Sequence, residues 1–152
     1  MHARILDELR RRELVRSSNN PVADLAELVA SRALGLTLVS KSSAGHDAVD
    51  AAGNRYQVKG RRVTAHNKSR QLSFIRGLES KPFDSLVGIL FDADFRVTKA
   101  CVVPIDTVRT CCAFVAKVNG HRFLLRDAVW KIPGVKDVTE AAKRAACELG
   151  CD

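Results

Sequence analysis

Three residues in one short stretch, Asp47, Gln57 and Lys59 within Gly45–Arg62, have the types and spacing to do chemistry. Ala51-Ala52-Gly53 reads as a tight turn between two strand-like runs, with glycine at the left-handed position that closes a three-residue loop. If Asp50 pairs with Asn54, Asp47 lies opposite Gln57. Side chains alternate along a strand, so Gln57 and Lys59 share a face with Asp47, while Tyr56 and Val58 take the other. A slip of one residue would separate Asp47 from Lys59. Asp50 falls at the turn entrance, where local backbone hydrogen bonding favours aspartate, so its expected role is structural.

An acid and a lysine held together suit phosphodiester hydrolysis. That reaction needs a water nucleophile, charge neutralisation at phosphorus and help for the departing alkoxide. A hard divalent cation on carboxylate oxygens meets all three needs. Asp47 is the candidate first ligand, and the Val58 backbone carbonyl would be a further oxygen donor. Lys59 would stabilise charge on the phosphate or orient the water. Gln57 is neutral and so a poorer ligand for a hard ion, which calls for another carboxylate. Glu27 is the candidate, on a helical stripe with Ala23, Ala30 and Leu34. Asp24 is the alternative, with a helix-dipole role as its structural reading.

The elements that must position these groups follow from patterning. Residues 3–16 read as a charged amphipathic helix, and Ser17-Ser18-Asn19-Asn20 breaks it and caps a second helix. That helix begins with Pro21 in its first turn, runs to about Leu34 and ends at Gly35. Strands are expected over Leu36–Ser40, the two arms of the hairpin, Phe83–Phe91 and Phe95–Val103. A polar connection covers Val63–Ser69, a short helix Arg70–Leu78, and another short helix begins near Pro104. Two strands flank Asn119-Gly120, read as a type I′ turn, and a last helix covers residues 137–149. Gly88, inside a strand, points to close packing. Trp130 and the phenylalanines read as core. The fold class is α/β, a mixed central sheet flanked by helices, in a single domain over 1–152.

The chain carries a net charge of +8. Between Arg55 and Lys81 eight basic residues face one acid, Glu79, which concentrates nearly all of the excess beside the hairpin. Such a cluster suits a polyanion and is expected to form one positive surface opening toward the site. Arg61, Arg62, Lys68 and Arg70 are the candidate phosphate contacts. His66–Gln71 reads equally as a phosphate-contacting loop or a solvated one. His46, next to Asp47, reads as a packing or hydrogen-bonding residue. Aromatic residues make up 5% of the chain, too few for a base-stacking platform. Five cysteines and four histidines follow no disulfide or zinc spacing. No glycine-rich phosphate loop and no nucleophile elbow are present. No apolar run is long enough to span a bilayer and the N-terminus lacks a signal-peptide core, so a cytoplasmic location is expected.

Asp47 followed by Gln57-Val58-Lys59, with Glu27 on a preceding helix, resembles the PD-(D/E)XK nuclease superfamily. The glutamine in place of the second acid is similar to Mrr-type restriction endonuclease domains. The resemblance covers roughly residues 20–104 in element order, leaving 1–19 as an N-terminal helix and connection and 105–152 as C-terminal strands and helix. Gly45-His46 precedes Asp47 where the family pattern has proline. The resemblance implies a restriction-endonuclease-like fold and a Mg²⁺- or Mn²⁺-dependent DNA endonuclease in restriction or repair. Asp47, Gln57, Lys59 and Glu27 would be catalytic, and Asp47, Val58 and Glu27 would hold the metal. Cutting both strands of a duplex usually calls for two active sites, which a homodimer would supply. Two other readings stay open: a non-catalytic nucleic-acid-binding module on the same scaffold, and a small partner-binding protein whose basic face is incidental.

Overall fold

The computed structural model describes residue 11, residues 21–40 and residues 45–150. The expected first helix and its Ser17–Asn20 cap therefore lie outside the described residues, except for Arg11, which is helical. Helix α1 is Pro21–Leu34. Proline fits its first position because the fixed φ suits the helix and the missing N–H has no intrahelical partner there. Gly35 ends it at φ +65°, a conformation that costs glycine little.

The chain continues through β1 (Thr37–Leu38), β2 (Ala48–Val49), β3 (Arg55–Arg62), β4 (Ser85–Phe91) and β5 (Val97–Pro104). Helix α2 (Ile105–Cys111), β6 (Ala113–Val115), β7 (Gly120–Arg122), β8 (Lys136–Asp137) and helix α3 (Thr139–Glu148) follow. Six strands form one mixed sheet in the order β1-β2-β3-β4-β5-β8, and β6 and β7 form a separate hairpin. The β3–β4 pair is parallel and the other neighbours are antiparallel. The molecule is thus mixed α/β, as its patterning predicts.

Strand β4 explains the layering. Its run Ser-Leu-Val-Gly-Ile-Leu-Phe is apolar at nearly every position, so both faces must be covered. Val87, Ile89 and Phe91 join Leu25, Ala26 and Val29 of α1 and Ala142, Ala145 and Ala146 of α3 in one core. Leu86 and Leu90 join Leu72, Ile75, Phe83, Phe123 and Leu125 in a second core on the opposite face. Gly88 lies on that second face, where a Cβ would come within 2.8 Å of Leu125 Cδ2, so its packing role is as expected.

Three local expectations are corrected. Arg70–Leu78 is not a helix. The three-residue spacing of Leu72, Ile75 and Leu78 mimics helical periodicity, but this backbone is bound to the β7 region. Leu72 N donates to Phe123 O at 3.0 Å, and His121 N to Ile75 O at 2.7 Å. A single 3₁₀ turn covers Leu78–Ser80. The Asn119-Gly120 step is not a type I′ turn. A 3₁₀ turn over Ala116–Val118 ends in left-handed Asn119, and Gly120 already pairs with Val115 inside β7. Its glycine is needed for contact, because a Cβ there would lie 3.0 Å from Phe74 Cβ. Phe83, Phe91, Phe95 and Phe123 are core residues, but Phe114 is 58% exposed. Among the described residues no helix is long and apolar enough to cross a membrane.

Helix α1 reaches the sheet through Gly60. A Cβ at this position would lie 2.9 Å from Ala26 Cβ, a short side chain that cannot swing aside. Gly60→Ala should therefore push α1 off β3 and cost about 1–3 kcal/mol. Urea denaturation should show a lower midpoint with an unchanged slope. A wild-type midpoint would mean that the helix backs away without loss.

Candidate active site

The hairpin forms in the register that side-chain alternation demands. Ala48 pairs with Tyr56 and Val49 with Arg55, and Asp50 N donates to Asn54 O at 3.1 Å. Gly53 closes the loop at φ +85°. Asp50 is structural: its carboxylate accepts from Ala52 N and Asn54 N, each at 2.9 Å, and from the Tyr56 hydroxyl at 3.0 Å. Hydrogen bonding, first from the Asn54 side chain, holds its carboxyl below the usual range.

Strand β2 is two residues long, whereas β3 runs on to Arg62. Beyond Tyr56 the β2-facing edge of β3 has lost its backbone partner. Asp47 fills the first gap with its side chain. Its Oδ2 accepts from Val58 N at 2.7 Å and from Gln57 Nε2 at 2.9 Å. In an extended strand the N–H and C=O of one residue leave by the same edge, so the Val58 carbonyl also faces this open side.

The Gln57, Lys59 and Arg61 side chains leave the face opposite α1. Lys59 Nζ donates to Ser73 Oγ at 2.7 Å and to Phe74 O at 3.4 Å. Burial pushes its ammonium below the usual lysine range, Asp47 opposes that shift, and Arg76 adds to it. Arg61 donates to Ser69 O at 3.0 Å and to Asn67 Oδ1 at 3.3 Å. Arg62 donates to Ala93 O and stacks over Phe95 at 4.7 Å. Glu27 is 6% exposed on α1.

These residues meet. A cavity of about 460 Å³ is lined by Glu27, Asp47, Gln57, Val58, Lys59, Arg61, Arg62, Asn67 and Ser73, together with Val22, Ala23 and Gly60. All four expected catalytic residues therefore line this cavity, contributed by α1, the segment before β2, and β3. Asp24 is buried on α1 outside this lining. His46 Nδ1 is buried with no hydrogen-bond partner among the described residues, so of its two expected roles packing is the one that fits.

The basic run does not form a single surface around the cavity. Only Lys59, Arg61 and Arg62 line it. Arg55 and Lys81 pair with Asp84, and the Arg55 pair ties the start of β3 to that of β4. Arg70 pairs with Asp127 at 2.9 Å and sits near Trp130, outside the lining. Lys68 is exposed, also outside the lining. Ser73 lies in the stretch whose patterning predicts a helix, which hides its place beside Lys59. Asn67 belongs to the polar cluster singled out there.

No family model matches the chain, and no curated protein matches it.

The cavity's chemical capacity rests on its oxygen donors. Among the described residues no group of three or more His, Cys, Asp or Glu side chains gathers in one place. Two carboxylates, the Val58 carbonyl and the Gln57 amide remain. Such a set fits Mg²⁺, which keeps several waters and takes one or two protein carboxylates. It does not fit a dehydrated all-protein cage or a zinc site.

The lowered Lys59 pKa has a sign that can be measured. The unfolded chain holds this proton more tightly than the folded one. Folding stability therefore rises with pH between the folded value and the ordinary value of 10.5, and is lost as pH falls through the folded value. Relative to Lys59→Met, wild type should gain stability as pH is raised toward 10.5. Urea titrations of both proteins across that range provide the check. A constant difference would show that Lys59 is as well hydrated as in the unfolded chain.

Proposed function

We propose that this chain is a Mg²⁺- or Mn²⁺-dependent endodeoxyribonuclease of restriction-endonuclease-like fold, acting in restriction or repair. The observation that carries the reading is the convergence of Glu27, Asp47, Gln57 and Lys59, from separate elements, on one cavity that also holds Arg61 and Arg62. Asp47, Glu27 and the Val58 carbonyl would hold the cation. When bound, the cation supplies charge neutralisation at phosphorus and a water of lowered pKa.

The chain's own residues have distinct tasks. Asp47 is fixed by Val58 N and Gln57, so it presents its charge without having to be ordered first. Lys59, held by Ser73 and Phe74, directs positive charge at the phosphate oxygens from a partly desolvated position, where that charge acts more strongly than in water. Arg61 is braced by Asn67 and Ser69 to receive a phosphate oxygen without reorganising. Two strands of a duplex would need two such sites, supplied by a homodimer.

Cleavage of supercoiled and linear DNA with Mg²⁺ or Mn²⁺ tests the proposal. Asp47→Ala should abolish cutting. It should also weaken metal binding by calorimetry, by more than the roughly 10–100-fold that loss of an outer partner costs. Lys59→Ala should lower turnover by about 10²–10³-fold while metal affinity persists. Gln57→Glu adds a charged oxygen and should tighten metal binding. If wild type cuts no DNA form with either ion but still binds DNA, the non-catalytic binding module replaces the enzyme. If it does not bind DNA at low salt, the partner-binding reading replaces both.

A further inference from the structure

A second basic feature lies away from the cavity. Between Arg109 and Lys131 the chain has Arg109, Lys117, Arg122, Arg126 and Lys131 against one acid, Asp127. That acid is already engaged by Arg70 and Lys99. Arg109 is engaged too, by Asp106 and Leu78 O. Arg122 and Arg126 differ. Both are exposed, and among the described residues their guanidinium groups have no ion pair, hydrogen bond or aromatic contact.

Both arginines line one groove of about 300 Å³, with Ala113, Leu124, Val129 and Ile132. The backbone explains why. Phe123 and Leu125 are fully buried in the core, so alternation turns Arg122, Leu124 and Arg126 outward. The two arginines are four positions apart, so their Cα atoms are no more than about 14 Å apart. Two uncommitted planar forks on one surface match phosphate oxygens, which guanidinium groups bind bidentately.

Two hydrogen bonds relate the chain beside the groove to the cavity. Arg61 in the cavity donates to Ser69 O, and the next residue, Arg70, accepts from Leu125 N at 2.9 Å. The 69–70 backbone thus bonds both to the Arg61 guanidinium and to the residue before Arg126. A polyanion held by Arg61 would find the two free guanidinium groups on the neighbouring segment of chain.

We propose that the Arg122–Arg126 groove is a second contact for the phosphate backbone of nucleic acid, separate from the cavity that holds Asp47. The choice of polyanion rests on the functional reading above, while the site itself does not depend on cleavage.

The test is DNA binding by fluorescence anisotropy over a range of salt, with Arg122→Glu/Arg126→Glu compared with Arg96→Glu/Arg144→Glu. The control pair is equally exposed and changes net charge identically. The groove variant should lose at least about tenfold in affinity, and its log–log salt slope should fall by about two contacts at roughly 0.9 each. The control should change little. The same loss should appear on an Asp47→Ala background, so a failure to cut DNA leaves the inference standing. Conversely, wild-type affinity and slope in the groove variant of a protein that cuts DNA would overturn the inference alone. Equal losses in groove and control variants would reduce the effect to net charge and also overturn it. So would competition by poly-glutamate as effective as that by polyphosphate of equal charge, which would assign the groove to an acidic protein.

Discussion

Strand β3 outruns β2, and the open edge this creates is the constraint to which the site answers. Buried backbone donors must find partners, and an unmet one costs about 1–3 kcal/mol. The Val58 N–H on this edge has no strand to pair with, so the Asp47 side chain serves in its place at 2.7 Å. One hydrogen bond thus fixes the carboxylate, and it leaves the Val58 carbonyl facing the same opening. The site is the point at which the sheet stops pairing.

The second requirement is close approach of α1. Val58 and Gly60 share the face of β3 that meets the helix, and Gly60 lets Ala26 come to the backbone. Glu27 follows Ala26 in sequence, so the residue that sets the helix–strand distance is adjacent to the one that supplies the second carboxylate. Packing and chemistry are therefore coupled here: the helix cannot shift on Gly60 without carrying Glu27 with it.

What the sequence made legible was local or rigidly periodic. The hairpin register followed from a three-residue loop and strict alternation, and α1 from Pro21 and Gly35. Glu27 could be named because a helix repeats its faces. What stayed hidden depended on distant pairing. Leu72, Ile75 and Leu78 look helical at a spacing of three, but the backbone over 71–75 pairs with residues 121–124, more than forty positions on in the sequence. Ser73, the partner of Lys59, vanished with that misreading. Gly120 looked like a turn glycine because Asn-Gly is a turn signal, whereas Phe74 is what demands it. The run of basic residues looked continuous because sequence does not reveal partners. Asp84 and Asp127, both outside the run, draw Arg55, Lys81 and Arg70 away from the cavity.

Gln57 is the residue whose physics most distinguishes this cavity. It donates to the same Asp47 oxygen that Val58 N uses. A carboxylate in its place would set two like charges against each other and raise the pKa of one, unless a cation lay between them. With glutamine the carboxylate oxygen accepts from two neutral N–H groups, so no second negative charge is set against it. The same hydrogen bond competes with any cation for Asp47. At Oδ2 a cation would share an oxygen already engaged by two N–H groups, whose positive ends oppose the incoming charge. The arrangement therefore preorganises Asp47, and a cation bound as proposed would draw its further oxygens from Glu27 and the Val58 carbonyl.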